Sequence, residues 1–284
     1  MNDGPNALFI QTWNDILTPK WLEFRHVFAA NSMANQKAVE QYLTVRPGER
    51  VLDIGCSFGE SCVWLADAVG PEGTVVGLDC NQSFIDIARK ETEGRPEISY
   101  LCGDGQTLDL GEERFDLCFS RFGVMFFAQH ILAFRNFHKA MKPGGRVFFI
   151  VWRGQSENVC FDQCKKIALN YLPQPGDDAQ TCGPGPFFLF DKERNRHFLE
   201  AAGFTDVVHH PIDILAPMGR NMDEAVRFQM QIGPMGEIIR EAGALGLQKL
   251  PEIEREVRAF LSGYETPEGI SLPTASWAIQ ATKP

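Results

Sequence analysis

The stretch VLDIGCSFGES, residues 51 to 61, sets one carboxylate, Asp53, ahead of two glycines, Gly55 and Gly59. Glycine at such a bend lets backbone approach a ligand closely. A pyrophosphate site needs Gly-x-Gly-x-x-Gly, and counted from Gly55 the other two positions hold Ser57 and Glu60. Glu60 would set a negative charge against a phosphate at a helix N-terminus. The chain also has no Gly-x-x-x-x-Gly-Lys-Ser/Thr loop. Phosphate is therefore a poor match for this turn.

Other residues could take part in chemistry. Asp79 ends the run TVVGLD, twenty positions after Gly59, and Asp104 and Gly105 lie in GDGQ. A carboxylate offers two acceptor oxygens to neighbouring hydroxyl donors. Among the histidines, His26 and His130 are placed where a general base could sit, and Arg121, at the end of a strand, is a further catalytic candidate through its charge. His138, His209 and His210 read as structural. Trp21, Phe24, Phe126, Phe127, Trp152, Phe187 and Phe188 fit either a core beneath a cap or an apolar acceptor pocket.

These residues need a frame. RVLDIG, TVVGLD, EISYLC, FDLCFS and RVFFIVW read as five strands, with helices expected over 59–69, from about 81, and over 129–141. Ser83 and Asp86 stand at capping-box spacing, and KPGG should break the third helix before the fifth strand. Such alternation demands a parallel sheet with helices on both faces. The expected architecture is α/β, a Rossmann-like, seven-stranded, mostly parallel sheet with a helical cap. Residues 1–45 form an N-terminal helical cap, 46–153 the core, and 154–191 a Pro/Gly-rich lid. Residues 192–284 complete the core, with a sixth strand at FTDVVHHPI, a helical insertion at 214–268 and a last strand at SWAIQA. The cap and lid are expected to form a mobile cover.

Composition narrows the function. The 284 residues carry a formal charge of −10 and no basic run, which argues against a nucleic-acid or membrane partner. Apolar runs are too short to span a bilayer, and no Lys or Arg precedes Lys20, so no signal segment is expected. Eight cysteines contain no Cys-x-x-Cys, so reduced thiols, a cytoplasmic location and no metal site are expected. Twenty-two phenylalanines against four tyrosines point to apolar rings lining more than an ordinary core.

The pattern acidic-x-Gly-x-x-x-Gly at Asp53, Gly55 and Gly59 resembles motif I of class I S-adenosylmethionine-dependent methyltransferases. The order GLDCNQSF, GDGQ, FDLCFSRFGVMFF, HKAMKPGGRVFFIVW and LEAAGFTDV extends that resemblance over residues 48 to 210. The nearest flavour is the ubiquinone/menaquinone-biosynthesis-like group of small-molecule methyltransferases. The resemblance implies S-adenosyl-L-methionine as cofactor, bound by Asp53, Gly55, Ser57, Gly59, Asp79, Cys80, Asp104, Gly105, Ser120 and Arg121. Within that set Asp79 would hold the ribose hydroxyls and Asp104 the adenine amino group. Ser57 replaces the family's middle glycine, which a serine at negative φ can do. The activity implied is methyl transfer to a small acceptor, with catalysis mainly by proximity. Two rivals are an intramolecular cyclase or lyase and a cofactor-binding protein without turnover. Asp53 beside the cofactor's amine would keep that amine charged and so disfavour cyclisation.

Overall fold

In the computed structural model residues 4, 6–176, 179 and 183–284 are described; five residues of the expected lid, 177, 178 and 180–182, lie outside them. Helices α1 (Ala7–Thr12), α2 (Thr18–Glu23) and α3 (Arg25–Val39), with a π-helical turn at Trp13–Leu17, precede the sheet. Then follow β1 (Arg50–Ile54), α4 (Glu60–Val69), β2 (Thr74–Asp79), α5 (Gln82–Glu91), β3 (Ile98–Cys102), β4 (Phe115–Arg121), α6 (His130–Ala140) and β5 (Met141–Trp152). The second half holds α7 (Val159–Leu169), α8 (Lys192–Ala201), β6 (Thr205–Gly219), α9 (Met222–Gln231), α10 (Gly233–Glu241) and α11 (Gly243–Leu261). The short β7 (Glu265–Thr266) and long β8 (Gly269–Thr282) close the chain.

The sheet order is β3-β2-β1-β4-β5-β8-β6, with β7 attached to β8. The first five strands of that path are mutually parallel, and β8 runs antiparallel between β5 and β6. Seven strands therefore form the path, as the sequence implies, and the two-residue β7 is an eighth. Chain order reverses between β1 and β4, the kind of switch point where an open α/β sheet leaves a crevice.

Alternation along β5 shows why the strands read as continuous apolar runs. Val147, Phe149 and Val151 enter the core under α6 and α8, whereas Phe148 and Ile150 enter the core under α4 and α5. A strand buried on both faces has no polar side to reveal its period. A third core joins α7, α9, α10 and α11 to the upper ends of β6 and β8 through Cys160, Ala216, Val226, Ile253 and Leu272.

Several boundaries differ from expectation. KPGG does not separate α6 from β5; the strand starts at Met141 and absorbs the turn as a bulge, with Gly144 at φ +75°. Strand β6 runs to Gly219 and β8 starts at Gly269, so the helical excursion is shorter than 214–268. Pro217 hides the continuation of β6 beyond FTDVVHHPI, yet an edge strand tolerates Pro211 and Pro217 because one side of its ladder donates to nothing. Ser83 and Asp86 make no capping box on α5. Asn81 is the cap instead, its side chain accepting from Phe84 N at 3.1 Å. The Asn81 amide also donates to Thr18 Oγ1, which fastens α2 over the end of β2.

Candidate functional site

A cavity of about 700 Å³ opens above the carboxyl ends of β1, β2 and β4, roofed by the N-terminal helices, the segment around Phe187, and α10. Its floor is the turn after β1. Gly55 and Gly59 adopt φ of +72° and +84°. A Cβ on Gly55 would lie 2.9 Å from Gly123 Cα, and one on Gly59 would lie 2.4 Å from the Tyr100 hydroxyl. Both glycines are thus required by conformation and by space. Gly123, in the turn after β4, was not among the expected residues, although a glycine following a strand end is a visible signal.

Ser57 sits at φ +50°, so the expectation of a negative φ is wrong. Its backbone N–H donates to Asp79 Oδ2 at 2.9 Å, and this bond holds the loop in the left-handed region. Asp79 Oδ1 accepts from Asn81 N at 2.9 Å. Each Asp79 oxygen keeps acceptor capacity toward the cavity, where Asp79 forms part of the wall. Burial pushes its carboxyl up to about 6, against the hydrogen bonds from Asn81 and Ser57. Cys80 lines the same wall, its thiol raised by burial.

Asp104 and Gly105 also line the cavity. Asp104 accepts from the Gln106 backbone and side chain, both at 3.0 Å, and Gln106 Oε1 accepts from Gln129 N at 2.6 Å. Arg121 reaches the cavity from the end of β4. Among the described residues it has no hydrogen bond or ion pair, and the nearest charges it feels are Asp53 and Glu60. Glu60 is itself engaged by Arg25, at 3.4 Å, which also clasps Glu91 and lies over the Phe58 ring.

Other expected residues lie elsewhere. Asp53 does not line the cavity: with Val51 it faces α4, where its Oδ2 accepts from Ser61 Oγ at 2.5 Å. Its burial raises the carboxyl above the ordinary value. The period-2 alternation of β1 directs it there, so the argument against cyclisation that used Asp53 does not hold. Ser120 is fully buried and donates to Ile54 O at 2.7 Å, joining β4 to β1. Phe24 lies in the cap core against Phe228. Trp21, Phe126, Phe127, Trp152, Phe187 and Phe188 do line the cavity, joined by Trp13 edge-on to Trp21 and Phe126.

Neither candidate histidine reaches the cavity, and nor do the other four. His26 pairs with Glu224 at 2.7 Å on the outside of the cap, and Arg220 beside Glu224 holds that carboxyl down to about 2. His130 packs against Phe188 and Phe198, which also lie against each other, and burial lowers it to about 4. The charged side chains of the lining are instead Lys20, Glu60, Asp79, Asp104, Lys165 and Glu237, with arginines 121, 194 and 240. Glu237 carried no sequence signal, because α10 reaches the cavity only through the excursion between β6 and β8, and Lys20, on α2, lies in no motif.

At the carboxyl ends of β2 and β4 the cavity offers a carboxylate, Asp79, to a ligand's hydroxyl pair and a guanidinium, Arg121, to an anionic group. Beyond them the ring-lined half leaves space for a second molecule.

Residues 52–149 match the family described as Methyltransferase domain. A demethylmenaquinone methyltransferase of Staphylococcus saprophyticus is 23% identical over 180 residues, covering 61% of this chain and 77% of that protein. Residues 52–149 are thus a methyltransferase domain, and the family match, such relatives and the fold together support a class I S-adenosylmethionine-dependent methyltransferase of the quinone-biosynthesis-like group. Its cofactor is S-adenosylmethionine. In fold it is similar to a SAM-dependent methyltransferase from Thermotoga maritima, with a TM-score of 0.56, 15% identity and coverage of 99% of this chain and 100% of that one. It is also similar to a Haemonchus contortus phosphoethanolamine N-methyltransferase solved with S-adenosylhomocysteine, with a TM-score of 0.59, 14% identity and coverage of 99% and 61%. Among the described residues no helix is long and apolar enough to cross a membrane, and no three potential ligands gather around a metal position.

Ser57 provides a direct test of the loop. A non-glycine residue in the left-handed region costs about 1–2 kcal/mol. Ser57→Gly should therefore raise unfolding free energy by about 1 kcal/mol in urea titration, with part of the gain offset by glycine's entropy. A variant no more stable than the parent would show that the serine hydroxyl compensates its backbone.

Proposed function

We propose that this methyltransferase transfers the methyl group to a small, partly apolar acceptor seated among Trp13, Trp21, Phe126, Trp152 and Phe187. The observation that carries this reading is that one cavity combines the Asp79 and Arg121 wall with that ring-lined half. Asp79 would accept both ribose hydroxyls, Asp104 would take the adenine amino group, and Arg121 would hold the cofactor's carboxylate. Asp79 and Asp104 keep acceptor capacity for the ligand's donors, and the Arg121 guanidinium is a donor for the ligand's carboxylate.

The sulfonium of the bound cofactor supplies an electrophilic methyl. What the chain must add is alignment and exclusion of water. An acceptor atom held in line with the carbon–sulfur bond displaces S-adenosylhomocysteine, and the surrounding rings keep competing water out. The relatives named for demethylmenaquinone make a fused-ring acceptor one chemistry compatible with these walls.

The experiment is incubation of the protein and methyl-labelled cofactor with a panel of apolar ring compounds, resolved by mass spectrometry. Label should appear on an acceptor together with S-adenosylhomocysteine, and cofactor alone should be consumed no faster than in buffer. Enzyme-dependent release of methylthioadenosine from cofactor alone would contradict methyl transfer.

Asp79 gives a pH signature. Its folded value of about 6 exceeds the ordinary carboxylate value, so the ligand-free protein holds this proton more tightly than the unfolded chain does. The associated stability is present at low pH and is lost as pH rises through about 6. Ribose binding has the opposite sign, because two hydroxyl donors favour the ionised carboxylate. S-adenosylhomocysteine affinity by calorimetry should fall about tenfold from pH 7 to pH 5, and Asp79→Asn should flatten the profile. A wild-type profile already flat over that range would remove Asp79 from the ribose site.

A further inference from the structure

Helix α10 contributes one carboxylate, Glu237, to the cap side of the cavity. The side chain is half-buried, and among the described residues it accepts no hydrogen bond and forms no ion pair. Its oxygens are left to solvent in the free protein, and a ligand that displaces this water from the ring-lined cavity must supply a donor in its place or leave the carboxylate unpaired. The charges facing it are Arg240 and Lys165, which favour its ionised form, and Glu241, which opposes it; burial outweighs them and raises its value. Lys20 lines the same end, with its ammonium donating to Gln231 O at 2.9 Å.

This surrounding charge limits what Glu237 can bind. A cationic acceptor would meet Lys20, Lys165 and Arg240, all on the cavity wall. An anionic acceptor would meet Glu237 itself. A neutral O–H or N–H on a flat apolar body satisfies the open carboxylate and repels neither sign.

We propose that Glu237 is the specificity-determining residue of the acceptor half, accepting a hydrogen bond from a neutral hydroxyl or N–H that the acceptor presents at the α10 end of the cavity. The inference rests on the reading of that half as the acceptor site. It assigns a role to a residue on the helical excursion, outside the region that matches the methyltransferase domain family.

The test uses the full chain and three probes of similar shape: 1-naphthol, 1-methoxynaphthalene and 1-naphthylmethylammonium. Binding is read from quenching of the cavity tryptophans, Trp13, Trp21 and Trp152, with and without saturating S-adenosylhomocysteine. Naphthol should bind about tenfold more tightly than its methyl ether, as expected for a hydrogen bond to a charged group, and more tightly than the ammonium. Glu237→Ala should abolish the preference for naphthol and leave ether binding and S-adenosylhomocysteine affinity unchanged. Glu237→Gln, which keeps shape and loses charge, should retain part of it. Naphthol binding no better than the ether, ammonium binding best, or a preference that survives Glu237→Ala would each overturn the proposal. Failure to bind S-adenosylhomocysteine, with the naphthol preference intact, would instead overturn the methyl-transfer reading and leave Glu237 its role.

Discussion

The two hydrogen bonds that Asp79 accepts hold the site together. One comes from Ser57 N in the turn after β1, the other from Asn81 N at the start of α5. Through them a single strand-end carboxylate fixes the motif loop and the helix that follows its own strand. Asn81 carries the constraint onward: its carbonyl caps α5, and its amide fastens Thr18 of the N-terminal cap. A carboxylate on the cavity wall is thus the one on which the floor and the roof of the cavity both depend. Its charge is disfavoured by burial, so a bound pair of hydroxyl donors relieves a cost that the ligand-free protein bears.

The floor depends on the absence of side chains. Gly55 and Gly123 meet backbone to backbone, and a Cβ on Gly123 would lie 2.7 Å from Ile54 O. That contact brings the turns after β1 and β4 together across the switch point. Phe122, at φ +58°, then turns its ring onto Trp152 with centroids 4.1 Å apart. The aromatic wall therefore begins where the glycine contact ends, and Arg121 enters the cavity between them.

Much of this was legible in the sequence. Five parallel strands stand out because both faces of the sheet are buried, and Asp79 stands out because it ends one of them. Asp53 and Ser120 were misplaced because motif position says nothing about which face of a strand a side chain takes; the alternation with Val51 settles it for Asp53. The base candidates failed for a different reason. His26 is drawn to Glu224 and His130 into a stack of phenylalanines, and both partners are remote in sequence. Glu237 and Lys20 were invisible because neither lies in a motif; Glu237 reaches the cavity only after the β6–β8 ladder has raised the helical excursion over the sheet, and Lys20 reaches it from α2 of the N-terminal cap.

The central claim is that Asp79 and Arg121 together define where the cofactor lies. A crystal structure with S-adenosylhomocysteine tests it most directly. The account predicts both ribose hydroxyls on the Asp79 carboxylate and the ligand's own carboxylate on the Arg121 guanidinium, with the sulfur facing Trp152 and Phe126. A nucleoside bound away from Asp79, or a carboxylate held elsewhere while Arg121 stays unpaired, would contradict it.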